Sequence, residues 1–207
     1  MKNTNAPLLD VNELGFIAWF LEDAGTDFED HTADETFLPA SDETLAISAA
    51  IHAVYGDDAP EVEASILPGN KDAQVQFYTS QAMKFYAQRC QALAAGASIR
   101  FNPAEYAFLG ELLELAGEDH EHLADDASFD LTLELNPENR TLFTRAVDVY
   151  LARHRKVRAV SDDAVTDTAA AIREALDTDG SSIEIDIPDY WLMFYLAGRC
   201  GGLARAR

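Results

Sequence analysis

Basic residues are scarce in this chain of 207. Its 15 Lys and Arg stand against 37 Asp and Glu, for a net charge of −22. That deficit argues against direct binding to nucleic acid or to an anionic membrane, since both would repel the chain. Cysteine is nearly missing as well. Cys90 and Cys200 are too few for a disulfide scaffold or a thiolate zinc site. Both stand in helical contexts, "AQRCQAL" and "AGRCGGL", and are expected to be reduced and buried as small apolar side chains. No apolar run approaches the roughly 18–20 residues that span a bilayer. The opening "MKNTNAPLLD" has no apolar signal core, so the expectation is a soluble, cytoplasmic chain without a signal peptide. G-x-S-x-G, P-loop and dinucleotide fingerprints do not occur. No catalytic residue and no cofactor is therefore read from the sequence.

What is present is a repeat. "ELGFIAWFLEDAG" (Glu13 to Gly25) returns ninety-two residues later as "EYAFLGELLELAG" (Glu105 to Gly117), with six of thirteen positions identical. The paired apolar positions Phe16/Phe108, Ile17/Leu109, Phe20/Leu112, Leu21/Leu113 and Ala24/Ala116 recur at helical spacing and predict an inward face. Asp10 with Glu13, and Asn102 with Glu105, have the spacing of a capping box. Pro103 and Pro137 suit a first helical position. Gly25 and Gly117 read as left-handed caps that end their helices. "PLLD", "IRFN", "VQFY" and "SIEIDI" read as short strands, and "PEVEASIL" and "DAVTDTAAAIREAL" as helices.

These elements predict an α+β fold, mostly helical with short strands. It is built by internal duplication from two units of about a hundred residues, since the period is far longer than a solenoid repeat. The units are residues 1–97 and 98–207, expected to pack as one body with pseudo-two-fold symmetry because the connection "AAGAS" is short.

The acidity is segregated. Residues 1–70 hold 15 carboxylates and one lysine, and residues 101–139 hold 11 carboxylates and no basic residue. The one basic cluster is "ARHRKVR", Ala152 to Arg158. After each copy of the repeated helix comes a matching acidic stretch. Asp27, Glu29, Asp30, Asp34 and Glu35 in the first answer Asp119, Glu121, Asp125 and Asp126 in the second. His120 and His122 have no counterpart in the first copy, and their spacing does not suit a helical zinc motif. The shared ligands would be oxygens only, fit for Mg²⁺ or Ca²⁺, but without EF-hand spacing. No metal site is predicted. Trp19 faces Glu111 in the alignment and Trp191 faces Gln81. Each tryptophan is thus expected away from the deep core, on a contact surface or between the units.

Three functions fit these features. The leading one is an acidic interaction module for a basic protein of the nucleic-acid-binding kind, acting as a nucleic-acid mimic or inhibitor. Its expected contact residues are the nine carboxylates just named, with Trp19 and Trp191. The second is a divalent-cation-dependent enzyme using the repeated carboxylate stretches. The third is a structural or assembly protein whose acidity serves solubility.

Overall fold

The computed structural model describes residues 8–30, 38–39, 65–66, 71–98, 100–123, 130–135, 137–157, 163–177 and 183–206. Among the described residues are six helices: α1 Val11–Asp30, α2 Lys71–Ala94, α3 Pro103–Leu123, α4 Pro137–Val157, α5 Asp163–Asp177 and α6 Asp189–Arg205. The strands are β1 Leu38–Pro39, β2 Ser65–Ile66, β3 Asp130–Leu135 and β4 Ile183–Pro188.

The α+β expectation is overturned. Helices of 15 to 24 residues dominate. Among the described residues the strands, none longer than six residues, make only two two-stranded antiparallel ladders, β1 with β2 and β3 with β4. A ladder of two strands is not a sheet layer on which helices can pack. The fold is mainly helical. "VQFY" lies inside the 24-residue α2. "PLLD" and "IRFN" supply helix caps, and neither Leu8–Asp10 nor Arg100–Asn102 is strand. "SIEIDI" does form β4, in register with β3 from Asp130 opposite Pro188 to Leu135 opposite Ile183.

The helix starts follow local chemistry. The Asp10 N–H donates to Glu13 Oε2 at 3.0 Å and the Glu13 N–H to Asp10 Oδ1 at 2.8 Å. The same reciprocal pair joins Asn102 and Glu105, at 2.6 and 3.0 Å. Each box satisfies N–H groups that a helix start leaves without partners. Pro103 and Pro137 open α3 and α4, where a missing N–H is harmless. Helix α2 ends on Gly96, at φ 90°. There the Ala97 N–H bonds Ala92 O and the Gly96 N–H bonds Leu93 O, both at 2.9 Å. This is the Schellman pattern, for which glycine suits the left-handed residue.

By its contacts the chain divides into two compact units, residues 1–17 with 98–207, and residues 18–97. In the first, α6 is buried on nearly every side, from Trp191 through Ala197 to Cys200 and Leu203. Tyr150 of α4 stacks on Trp191 at 4.5 Å between ring centroids. Helix α3 approaches α6 closely because two of its residues have no side chain. A Cβ on Gly110 would lie 3.2 Å from Ala197 O, and one on Gly117 would lie 2.9 Å from the Phe194 ring. In the second unit, Ala18, Phe20, Leu21 and Ala24 of α1 are buried, as are Ala82, Met83, Tyr86, Ala87 and Cys90 of α2. A Cβ on Gly25 would meet Lys84 Cγ at 3.0 Å and Ser80 O at 3.2 Å. So Gly25 and Gly117 are interior residues of α1 and α3, and not caps. Each permits close approach by the last helix of its unit.

Candidate functional site

Because α1 and α3 run past their glycines, the acidic stretches begin as helix. Asp27, Glu29 and Asp30 ride on the last turns of α1, and Asp119 and Glu121 on those of α3. Carboxylates at a helix C-terminus oppose the macrodipole. The last turn of α1 has no basic residue to offset them.

The outward face of α1 carries Trp19, Glu22, Asp23, Thr26 and Asp27, all exposed. The corresponding face of α3 carries Glu111, Glu118 and Asp119 exposed, with Glu114 half-buried. The side chains of Glu29 and Asp30, and all of Asp34, Glu35, Asp125 and Asp126, lie outside the described residues.

The two tryptophans part company. Trp19 is 44% exposed and leans on Phe20 at 5.1 Å. Trp191 is 1% exposed beneath Tyr150. The expectation that Trp191 lies away from the deep core is therefore corrected. Gln81, its polar partner in the alignment, is only half-buried on α2, so the polar residue in one copy did not report the environment of the other.

Several carboxylates of α3 have partners from other helices. Arg153 of α4 reaches Glu114 with one guanidinium nitrogen and Glu118, at 3.2 Å, with another. Its guanidinium lies over the Phe194 ring, 3.9 Å from the centroid. Glu121 accepts a hydrogen bond of 2.7 Å from the Tyr150 hydroxyl. Burial, with that bond, raises the Tyr150 pKa well above its ordinary value, so the phenol stays a donor.

Two buried polar clusters have tertiary partners that the sequence did not reveal. His120 Nδ1 lies 2.7 Å from Asp189 Oδ2, both side chains buried. The inward spacing of Leu109, Leu112, Leu113 and Ala116 continues to position 120, and that was its only sequence signal. Glu13 serves its capping box and also accepts bonds from Arg199 Nε at 2.6 Å, Arg199 Nη2 at 3.1 Å and the Tyr195 hydroxyl at 3.1 Å. Burial alone would raise the Glu13 carboxyl. The bonds from Arg199, the Asp10 N–H and Tyr195 outweigh it and hold the group below its usual range. Neither cluster has a signature in sequence spacing, because the partners come from remote helices.

Cys90 and Cys200, on α2 and α6, are buried and in no disulfide. Burial pushes the Cys200 thiol up to about 12, which leaves little thiolate at neutral pH for nucleophilic chemistry. Among the described residues, no group of three His, Cys, Asp or Glu sits where it could hold a metal ion. Among them too, no helix is long and apolar enough to cross a membrane. No family model, curated protein or solved structure matches the chain.

Proposed function

We propose that this chain is an acidic interaction module that binds a basic protein surface, one that itself accommodates nucleic acid. The observation that carries the reading is that each unit has exposed carboxylates along the outward face of a helix, α1 in one and α3 in the other. Glu22, Asp23 and Asp27 on one helix, and Glu111 and Asp119 on the other, are exposed in a chain of net charge −22. Fixed on helices, such carboxylates hold a regular spacing. Duplex DNA offers one charge about every 1.7 Å of its axis, and a basic groove shaped for that row also attracts a rigid array of carboxylates. Glu29, Asp30, Asp34, Glu35, Glu121, Asp125 and Asp126 extend the surface under this reading. Duplication of an ancestral unit, with 1–97 and 98–207 as its two copies, would account for the acidic stretch occurring twice.

The test is affinity capture from the native host, followed by binding measurements on the basic proteins recovered. The reading expects association that weakens steeply between about 50 and 500 mM salt, because that interval shortens the Debye length severalfold. It also expects competition by DNA or RNA. Replacing Asp27, Glu29, Asp119 and Glu121 by their amides should reduce affinity and slow association. Unchanged affinity after that fourfold replacement would sink the reading.

A further inference from the structure

We infer that the outward face of α6 is where this chain pairs with a second copy of itself, the two α6 helices crossing antiparallel over Gly198 and Gly202. Two glycines on this face have no packing reason inside the chain. Gly110 and Gly117 make room for a neighbouring helix. Gly198 and Gly202 are exposed, and among the described residues nothing lies within 4 Å of where a Cβ on either would stand. Neither has a positive φ that would call for glycine. Glycine disfavours a helix interior more than any residue but proline. The aligned positions on α2, in "AQRCQAL" against "AGRCGGL", are Gln88 and Ala92, so the other copy of this helix carries side chains there. Unfavourable residues at two outward positions, without a neighbour to explain them, point to a contact from outside the chain.

Positions four apart share one side of a helix. Without side chains they let a second backbone come close. Beside them Arg199 holds the start of α1, its Nη2 lying 3.5 Å from Leu8 O. There Leu8 and Val11 are 70% and 63% exposed. A helix laid over the glycines takes apolar surface of both out of water. Charge names the occupant and its direction. Arg205, three residues past Gly202 and on the same side, is exposed at one end of the face. Asp10, exposed too, stands at the other end, joined to Arg199 through Glu13. An antiparallel second copy turns each Arg205 toward the other copy's Asp10 and opposes the two helix dipoles. A parallel one would set Arg205 beside Arg205. A two-fold axis through the crossing repeats each contact, as in most pairs of identical chains. The charge of −22 on each copy opposes association at long range, and salt screens it.

The experiment follows the mass of the full chain by sedimentation equilibrium at about 500 mM salt, where the Debye length is short enough to mute that repulsion. Wild type should double in mass with a Kd on the order of 10–100 μM, as suits a face smaller than a standard interface. G198L and G202L should stay monomeric over the same range. At about 1 μM, where wild type too is a monomer, both should melt no lower than wild type, because space is open at both sites. R205E should weaken the dimer. G198C mixed with G202C should form a disulfide between copies under mild oxidant sooner than either variant does alone, since the crossing sets position 198 of one copy against 202 of the other. Wild type still monomeric at about 1 mM, well above the expected Kd, overturns the pairing and leaves the face to a different protein. A dimer that survives G198L and G202L, or like variants that link faster than unlike ones, overturns it as well. None of these outcomes bears on the acidic faces, so the interaction-module reading stands or falls separately.

Discussion

The guanidinium of Arg199 grips both carboxylate oxygens of Glu13, Nε to Oε1 at 2.6 Å and Nη2 to Oε2 at 3.1 Å. One glutamate therefore caps the start of α1 and fastens that start to α6. E13Q should cost about 3 kcal/mol at pH 7, since it leaves a partly buried guanidinium without its charge partner. The pH dependence follows from the lowered Glu13 pKa. A carboxyl held below its unfolded value of 4.5 contributes stability that is fully present above that value. The contribution fades as pH falls through the lower folded value. Urea denaturation across pH 2–7 should show wild type and E13Q converging below pH 4.5, and parallel curves would count against this account.

Two helix glycines should respond to alanine with opposite signs. Gly15 has open space where a Cβ would stand, so G15A should stabilise by up to about 1 kcal/mol through helix propensity alone. At Gly117 the added carbon would press 2.9 Å from the Phe194 ring. G117A should lose about 1–2 kcal/mol net, as overpacking exceeds the propensity gain. Thermal unfolding of the two variants side by side gives the signs directly.

His120 Nδ1 and Asp189 Oδ2 meet at 2.7 Å in the first unit, both side chains buried. Asp189 Oδ1 is buried without a hydrogen-bond partner. H120A should be the most damaging change at this site, at about 3 kcal/mol or more, because it strands a buried carboxylate. D189N should be milder, since an amide oxygen still accepts from the imidazole. Denaturation midpoints ranked H120A below D189N below wild type are the expected order.

Arg153 yields a prediction with a gain of binding. R153A should cost only about 1 kcal/mol, its ion pairs being partly exposed. It uncovers Glu114, Glu118 and the Phe194 ring. R153A should bind a deca-arginine peptide more tightly than wild type and gain less toward a deca-lysine peptide, because a guanidinium can refill both the carboxylate fork and the ring face. Tightening equal for both peptides would trace the effect to net charge alone.

The legible parts of the molecule are those set by neighbours in sequence. Both capping boxes depend on residues three apart, and both form as their spacing implies. The inward positions Ile17, Leu21, Leu109 and Leu113 are all fully buried, as one face of a helix requires. The misreadings fall where tertiary packing chooses between local options. Four alternating residues, "VQFY", fit a strand or one turn of a helix, and the length of α2 decided it. Gly25 and Gly117 looked like helix ends because glycine often ends helices. Here each is small so that another helix can come near. Trp191 was misplaced because an alignment of two copies reports substitution, not burial. Of the candidate surface, Trp19, Asp27 and Asp119 stand outward as the sequence suggested. Arg153, Asp189 and Tyr150, which decide the state of α3's polar groups, come from elsewhere in the chain, and spacing within α3 carries no trace of them.

The clasp between Glu13 and Arg199 joins residues 186 positions apart. During synthesis α1 emerges long before α6, so its first turns must wait for nearly everything else to be translated. Until then Glu13 has only its capping box. Closing so wide a span adds an entropic barrier that a local contact does not have. The first turn of α1 is thus clasped after the later turns of that helix can already pack against α2 in the second unit. A nascent chain stalled before Arg199 should leave the first turn of α1, from Val11 to Leu14, open to proteolysis, and closure of the clasp should be a late step of folding.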